Sequence, residues 1–425
     1  MREYSAYAAL ILLILPSLQR LDVADPRSST FDHLQTILRN LDPGTLWNRR
    51  FASQALVDRL SSIKQLSLVF DHRSGLAYRK KNNNFTPDYF LNIPQVQKLE
   101  LSILGGKEHQ VVGTMIRNVL VNRVRPTNIT TIVFRHSGAF AEGMLSLLQC
   151  TPKLRSFTYE FFFDCNGEMN GEGRLVDLAS WSETLRPLET TLEMLVFSIE
   201  YCDTSDYFFN QPRIRDRLYG YLDLTFFSQL HTLEVPFPFL TGDAEFSIGT
   251  EVYPLFPPNL RHLTLRPDLS HAQHPFPFDL SRLPAGLTFE QSKLEAQYLM
   301  NARMDVSYMY QTSLTLLDLA TTLESISIWQ PADPSLEWFS SQVEDFATTC
   351  RNKNVTGKIL MPMLLRWKKA AHWDLVREHT VFDRKAPELG VVKRFWREEW
   401  EGRPVGLASQ YHLHALMSHQ VKLHR

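Results

Sequence analysis

The chain has 425 residues, enough for two or three ordinary domains or for one long array of small units stacked on their neighbours. With 44% hydrophobic and 21% charged residues, its composition is that of a globular protein and not of a disordered chain. A formal net charge of -1 excludes the basic bias of a nucleic-acid or anionic-membrane binder, so charge names no partner.

In chain order, the first element is the apolar run Ala6 to Leu15 (AYAALILLIL) behind Arg2. It has the length of a secretory signal but no small-residue cleavage site, and it is too short to span a bilayer. It leads straight into LPSLQRLDV, which predicts a buried helix feeding a strand. Phe31, Leu34, Leu38 and Leu41 fall at helical spacing, as do Val112, Met115, Val119 and Leu120. Arg79 to Pro87 (RKKNNNFTP) reads as an exposed loop off one strand end. Gly143 to Leu148 feeds Thr151-Pro152-Lys153-Leu154-Arg155-Ser156-Phe157 in the same helix-to-strand manner. Leu269 to Leu283 is proline-rich and aperiodic. A further helix is expected over Leu336, Phe339, Val343 and Phe346, with Asp333 as cap and Pro334 in its first turn. Beyond Cys350 the pattern stops, and a mainly helical cap rich in tryptophan (Trp367, Trp373, Trp396, Trp400) is expected. The predicted division is therefore 1–350 and 351–425.

One phrase recurs, with apolar residues at its first, fourth and sixth positions. It begins at Leu18, Ile63, Val96, Ile129, Leu154, Leu192, Leu230, Leu260 and Leu323. The gaps are 45, 33, 33, 25, 38, 38, 30 and 63 residues, so a degenerate copy is expected near Arg282 to Phe289 (RLPAGLTF). The last two apolar positions, such as Leu99 and Leu101 or Leu263 and Leu265, alternate with polar residues as in a strand with one buried face. A single strand this short protects neither its backbone nor its apolar face. The copies must align as a parallel sheet with helical or irregular segments returning along the outside. The expected fold is α/β: a curved parallel sheet with outer helices, in an irregular repeat solenoid closed by the helical cap.

LPSLQRLDV, IPQVQKLEL, TPKLRSFTY, FSQLHTLEV and PPNLRHLTL resemble the degenerate leucine-rich repeats of fungal F-box-type proteins, over roughly Leu10 to Trp329. The resemblance implies a non-enzymatic, cytoplasmic or nuclear substrate receptor of a cullin-RING ubiquitin ligase, whose repeats hold a protein ligand. It also implies a Skp1-type adaptor bound by an F-box, and no F-box is visible before the repeats. The standard repeat places Asn or Cys three residues past the last apolar strand position. Here Pro26, Asp71, Leu104, Phe162, Glu200, Pro238, Asp268 and Pro331 stand there, so the turn is built differently.

The expected ligand surface is the set of side chains alternating with the buried pairs: Arg20, Asp22, Lys98, Glu100, Arg135, Glu160, Glu234, His262, Arg266 and Trp329, with smaller polar residues between them. Their mixed signs favour a polar protein or peptide over a phosphate track. Arg266 and Trp329 are the expected anchors, because arginine and aromatic residues dominate hot spots. No cofactor or metal is expected. His271 and His274, and His412, His414, His419 and His424, lack acidic or cysteine partners in a zinc register. GxSxG, GxGxxG and Walker loops are missing, and Glu168 and Glu172 beside Gly167, Gly171 and Gly173 would repel phosphate. Glu344 and Asp345 are adjacent, so on a helix they diverge and form no acid and base pair. Cys150, Cys165, Cys202 and Cys350 form no metal or disulfide framework and favour a reducing compartment. Two alternatives remain: an enzyme with its site in the Trp- and His-rich C-terminal region or near His271, and an extracellular recognition protein glycosylated at Asn84, Asn128 and Asn354.

Overall fold

The structure is a computed structural model. It describes residues 7–22, 60–68, 93–102, 128–137, 141–163, 176–201, 218–247, 252–273, 289–331, 336–364 and 374–404, apart from 8, 9, 13, 16, 94, 253, 254, 398, 401 and 402. The helices expected at Phe31 to Leu41 and Val112 to Leu120, the Arg79 to Pro87 loop, Asp333 and Pro334 lie outside the described residues. So do the glycine turn Gly167 to Gly173, His274 and the histidines from His412 onward.

The strands are β1 (Arg20–Asp22), β2 (Gln65–Leu68), β3 (Lys98–Ser102), β4 (Thr131–Ser137), β5 (Ser156–Phe163), β6 (Val176–Asp177), β7 (Met194–Tyr201) and β8 (Leu218–Tyr219). They continue with β9 (Thr232–Pro236), β10 (His262–Arg266), β11 (Ser325–Trp329), β12 (Thr356–Leu364), β13 (Asp374–Phe382), β14 (Val392–Arg397), β15 (Glu399–Trp400) and β16 (Arg403–Pro404). The labelled helices are α1 (Ala141–Gln149), α2 (Leu178–Leu185), α3 (Phe237–Thr241), α4 (Phe289–Leu319) and α5 (Ser340–Lys353). Twelve strands form one mostly parallel sheet, in the order β1-β2-β3-β4-β5-β7-β9-β10-β11-β12-β13-β14. The chain divides into two compact units, Met1–Phe161 with Glu183–Met194, and Phe162–Ser182 with Leu195–Arg425.

All nine copies of the phrase end in strands of this sheet. The first apolar position sits one turn before the strand. Its N–H bonds back three residues in Ile63 to Leu60 O, Leu154 to Thr151 O, Leu230 to Phe227 O, Leu260 to Pro257 O and Leu323 to Ala320 O, at 3.0–3.4 Å. The strand then opens on a shared carbonyl. In the first unit Gln19, Lys64, Gln97, Thr130 and Arg155 each accept two successive amides from the next copy, and in the second unit His231 and Arg261 do the same, all at 2.7–3.0 Å. The same local bonds at each junction fix the register: Leu21, Leu66, Leu99, Ile132 and Phe157 align in the first unit, and Leu233, Leu263 and Ile326 in the second.

In the first unit the apolar face is fully buried at Leu99, Ile132, Phe134, Phe157 and Tyr159, and the Phe134 ring centroid lies 5.5 Å from that of Tyr159. In the second unit Leu233, Val235, Leu265, Ile326, Ile328 and Ile359 form the same layer. Phe197 there meets Trp181 at 5.3 Å and Phe239 at 5.6 Å. Asp177 starts α2 by accepting the N–H groups of Ala179 and Ser180. Gly242 ends α3 in the left-handed region, φ 66°, where a Cβ would stand 2.5 Å from the Tyr221 ring.

Three expectations are corrected. Residues 10–12 and 14 are helical, but of the described residues in this run Leu12 is buried and Tyr7, Leu10, Ile11, Ile14 and Leu15 are exposed. The degenerate copy expected near Arg282 to Phe289 lies, up to residue 288, outside the described residues; β10 and β11 pair directly, and a helix of 31 residues (α4) lies between them in the chain. The helix expected from Leu336 begins at Ser340, where the Gln342 side chain accepts the Phe339 N–H at 2.9 Å. The described part of the C-terminal region is stranded, not helical: β12 runs parallel to β11, and β13 and β14 follow antiparallel. Thr356, Val376, Thr380 and Val381 supply β-branched residues there that propensity favours in strands.

Candidate functional site

The polar side chains opposite the apolar face fall into rows, because every strand enters the sheet at the same place. The first row is Arg20, Gln65, Lys98, Thr131 and Ser156 in the first unit and Thr232, His262, Ser325 and Thr356 in the second. None of these is buried, and Arg20, Gln65 and His262 are exposed. Arg20 and Asp22 pair at 2.8 Å with side chains 59% and 54% exposed. His262 Nδ1 lies 2.8 Å from Ser325 Oγ.

Further along the strands the same face closes over. In the first unit Arg135 Nε donates to Glu100 at 2.8 Å and its Nη1 to Glu160; Arg135 and Glu100 are 13% and 17% exposed, and Glu160 is buried. Burial alone would lower the Arg135 pKa, but Glu160 and Glu100 raise it above the ordinary guanidinium value. In the second unit Arg266 Nη1 donates to Glu234 Oε1 at 2.8 Å and its Nε to Asp268 Oδ2 at 2.8 Å. Asp268 Oδ2 also accepts the Ile199 N–H at 2.8 Å, and Trp329 Nε1 donates to Glu234 Oε1 at 3.2 Å. All four side chains are buried, Arg266 and Trp329 at 2% exposure. Burial raises the Asp268 pKa above the usual carboxylate range, outweighing Arg266 and the Ile199 amide.

The ten expected surface residues therefore separate. Arg20, Asp22 and His262 are exposed, and Lys98, Glu100 and Arg135 are partly exposed. Glu160, Glu234, Arg266 and Trp329 are buried, so the two expected anchors hold the interior together and present nothing to a ligand. Parallel strands are commonly buried on both faces, and a polar residue in such a strand pairs within the protein.

Asp268 is the contributor that sequence reading noted only as a departure from the standard repeat. Its signal was there: an acid in the turn position reserved for a buried polar side chain that satisfies backbone groups. The other chemistry-bearing residues do not converge. His271 meets Asp305, Nδ1 to Oδ2 at 3.1 Å, as part of a tether in which Asp305 also accepts the His271 N–H. Glu344 and Asp345 are both exposed, and Asp345 accepts from Tyr310. Burial pushes the Cys350 thiol up to about 12, away from reactivity at neutral pH. Among the described residues no group of three or more His, Cys, Asp or Glu could hold a metal ion, and no helix is long and apolar enough to cross a membrane.

Compared with known families and with curated proteins, the chain matches no family model and no curated protein.

Proposed function

We propose that the protein is a non-enzymatic recognition scaffold, an irregular leucine-rich-repeat solenoid that binds another protein along the open first row of its strands. The observation that supports this reading is the repeated junction: one carbonyl accepting two successive amides sets each polar side chain of that row at the same height beside its neighbour. A row of this kind is a surface whose register is fixed before any ligand arrives, which lowers the ordering cost of binding. Arg20 and Lys98 in the first unit and His262 in the second are its charged or titratable members. By resemblance, the ligand is the substrate of an F-box-type ubiquitin ligase, and the compartment is the cytoplasm or nucleus.

Two experiments test the two halves. Co-purification with a Skp1-type adaptor tests the ligase role, and a complex is expected only where an F-box is joined to the repeats. Capture of partners by the wild-type chain, compared with Lys98→Glu and His262→Glu, tests the surface. A partner lost in either variant supports the row as the site, whereas a partner retained by both places recognition elsewhere.

A further inference from the structure

In the first unit the open row and the turn residues just before it carry a charge bias that the chain as a whole does not. From β2 to β5 the strand starts are joined carbonyl by carbonyl: Lys64 O accepts from Gln97 and Lys98, Gln97 O from Thr130 and Thr131, and Thr130 O from Arg155 and Ser156, at 2.8–3.0 Å. Neighbouring strands lie about 4.8 Å apart, so these starts span about 14 Å. Lys64, Lys98, Lys153 and Arg155 stand along that span, Lys153 and Arg155 exposed and Lys64 and Lys98 partly so. Lys64 Nζ donates to Ser61 O at 3.1 Å and Lys153 Nζ to Asn128 Oδ1 at 3.0 Å, partners that bring no opposite charge. Among the described residues, the carboxylate that pairs with these bases is Glu193, 3.3 Å from Arg155, with the two side chains 41% and 65% exposed. Gln65 and Gln97 are exposed between the bases.

We propose that this stretch binds an acidic segment of a partner protein, a run of Asp and Glu laid in extended form across β2 to β5; the inference rests on the reading that the open row is the recognition surface. An extended chain rises about 3.3 Å per residue, so about four or five residues cover the span. Lysine is a point charge on a flexible stem, so Lys64, Lys98 and Lys153 can follow carboxylates of varied spacing, and no cluster of guanidinium forks is present there to select phosphate. Gln65 and Gln97 offer both donors and acceptors to the backbone of the segment. One row deeper the balance reverses, since Glu100 and the buried Glu160 share the single Arg135. That reversal disfavours the unbroken charge of a nucleic-acid backbone and fits a segment whose acids are confined to the rim.

Fluorescence anisotropy of labelled hexaglutamate with the full chain at about 20 mM salt tests this, with hexaglutamine and hexathymidylate as comparison probes. Hexaglutamate should bind at least about tenfold more tightly than hexaglutamine, and about 500 mM salt should remove the difference. The double variant Lys64→Glu, Lys98→Glu should bind it at least about tenfold more weakly, and Lys98→Gln, which removes one charge without reversing it, about threefold more weakly. Lys393→Glu, at an exposed base of the second unit, should bind as the wild type does. Circular dichroism matching the wild type confirms that each variant is folded. Hexaglutamate bound no better than hexaglutamine, rim variants that bind as the wild type does, an equal loss in Lys393→Glu, or tighter binding of hexathymidylate would each overturn the inference. Should hexaglutamate fail while Lys98→Glu still loses a captured partner, the row remains the recognition surface and the acidic ligand alone is overturned.

Discussion

Arg135 in the first unit and Arg266 in the second are the same device at two depths. Each is the fifth residue of its strand and reaches diagonally to the third residue of the preceding strand, Glu100 or Glu234. Each is flanked by the fifth residue of the following strand, Glu160 in one case and Trp329 in the other. The difference is water. Glu100 and Arg135 keep some exposure, whereas around Arg266 the second carboxylate is Asp268, the flanking Glu160 is replaced by the indole of Trp329, and all four groups are buried. One register thus gives a partly exposed ion pair in one unit and an interior polar cluster in the other, and the surrounding burial decides which.

The largest expected effect breaks the deeper cluster. Arg266→Met leaves Glu234 and Asp268 buried without their cation and should destabilise the second unit by about 3–5 kcal/mol in urea unfolding. The equivalent Arg135→Met should cost about 1–2 kcal/mol, because water reaches Glu100. Equal losses would mean that the two sites do not differ as described. Next comes Asp268→Ala, which removes the carboxylate that accepts the Ile199 N–H and pairs with Arg266 and should cost about 2–3 kcal/mol, more than Asp268→Asn, which still offers an acceptor.

Titration gives a third contrast. His379 is held down to about 4, first by burial and then by Arg377 and Lys393, from an ordinary value of 6.5. Between those values the unfolded chain binds a proton that the folded chain refuses. Stability should therefore fall as pH drops from about 6.5 to 4, and His379→Gln should flatten that branch of the pH profile. The smallest expected effect is at the open row. Lys98→Glu and His262→Glu should change unfolding stability by no more than about 0.5 kcal/mol, since neither side chain is buried.

The parallel sheet was legible because its cause is local. Leu-x-x-Leu-x-Leu encodes a turn, a strand start and two inward side chains within six residues, and Ile63, Leu66, Leu154 and Phe157 lie buried where that pattern puts them. The depth of the polar face was not legible, since period-two alternation reports which side of a strand a residue occupies and not what stands over it. Arg266 and Trp329 read as surface anchors for that reason. Helical spacing misled in a related way at Ala6 to Leu15: the residues are apolar enough for burial, yet of the described ones Leu12 is covered while Tyr7, Leu10, Ile11, Ile14 and Leu15 are exposed. The stranded C-terminal region was missed because the phrase ends with β11, and antiparallel additions such as β13 need no copy of it.

The central claim is that in the second unit the first row of the polar face, Thr232, His262 and Ser325, is open while the row beyond it, Glu234, Thr264 and Ser327, is interior. In the second unit it is tested most directly by thiol accessibility in the native state, using His262→Cys for the first row and Ser327→Cys for the third position of β11. The account predicts that maleimide modifies the His262→Cys thiol at least about tenfold faster than the Ser327→Cys thiol, with both equally reactive after unfolding. Equal native rates, or faster labelling at Ser327→Cys, would contradict it.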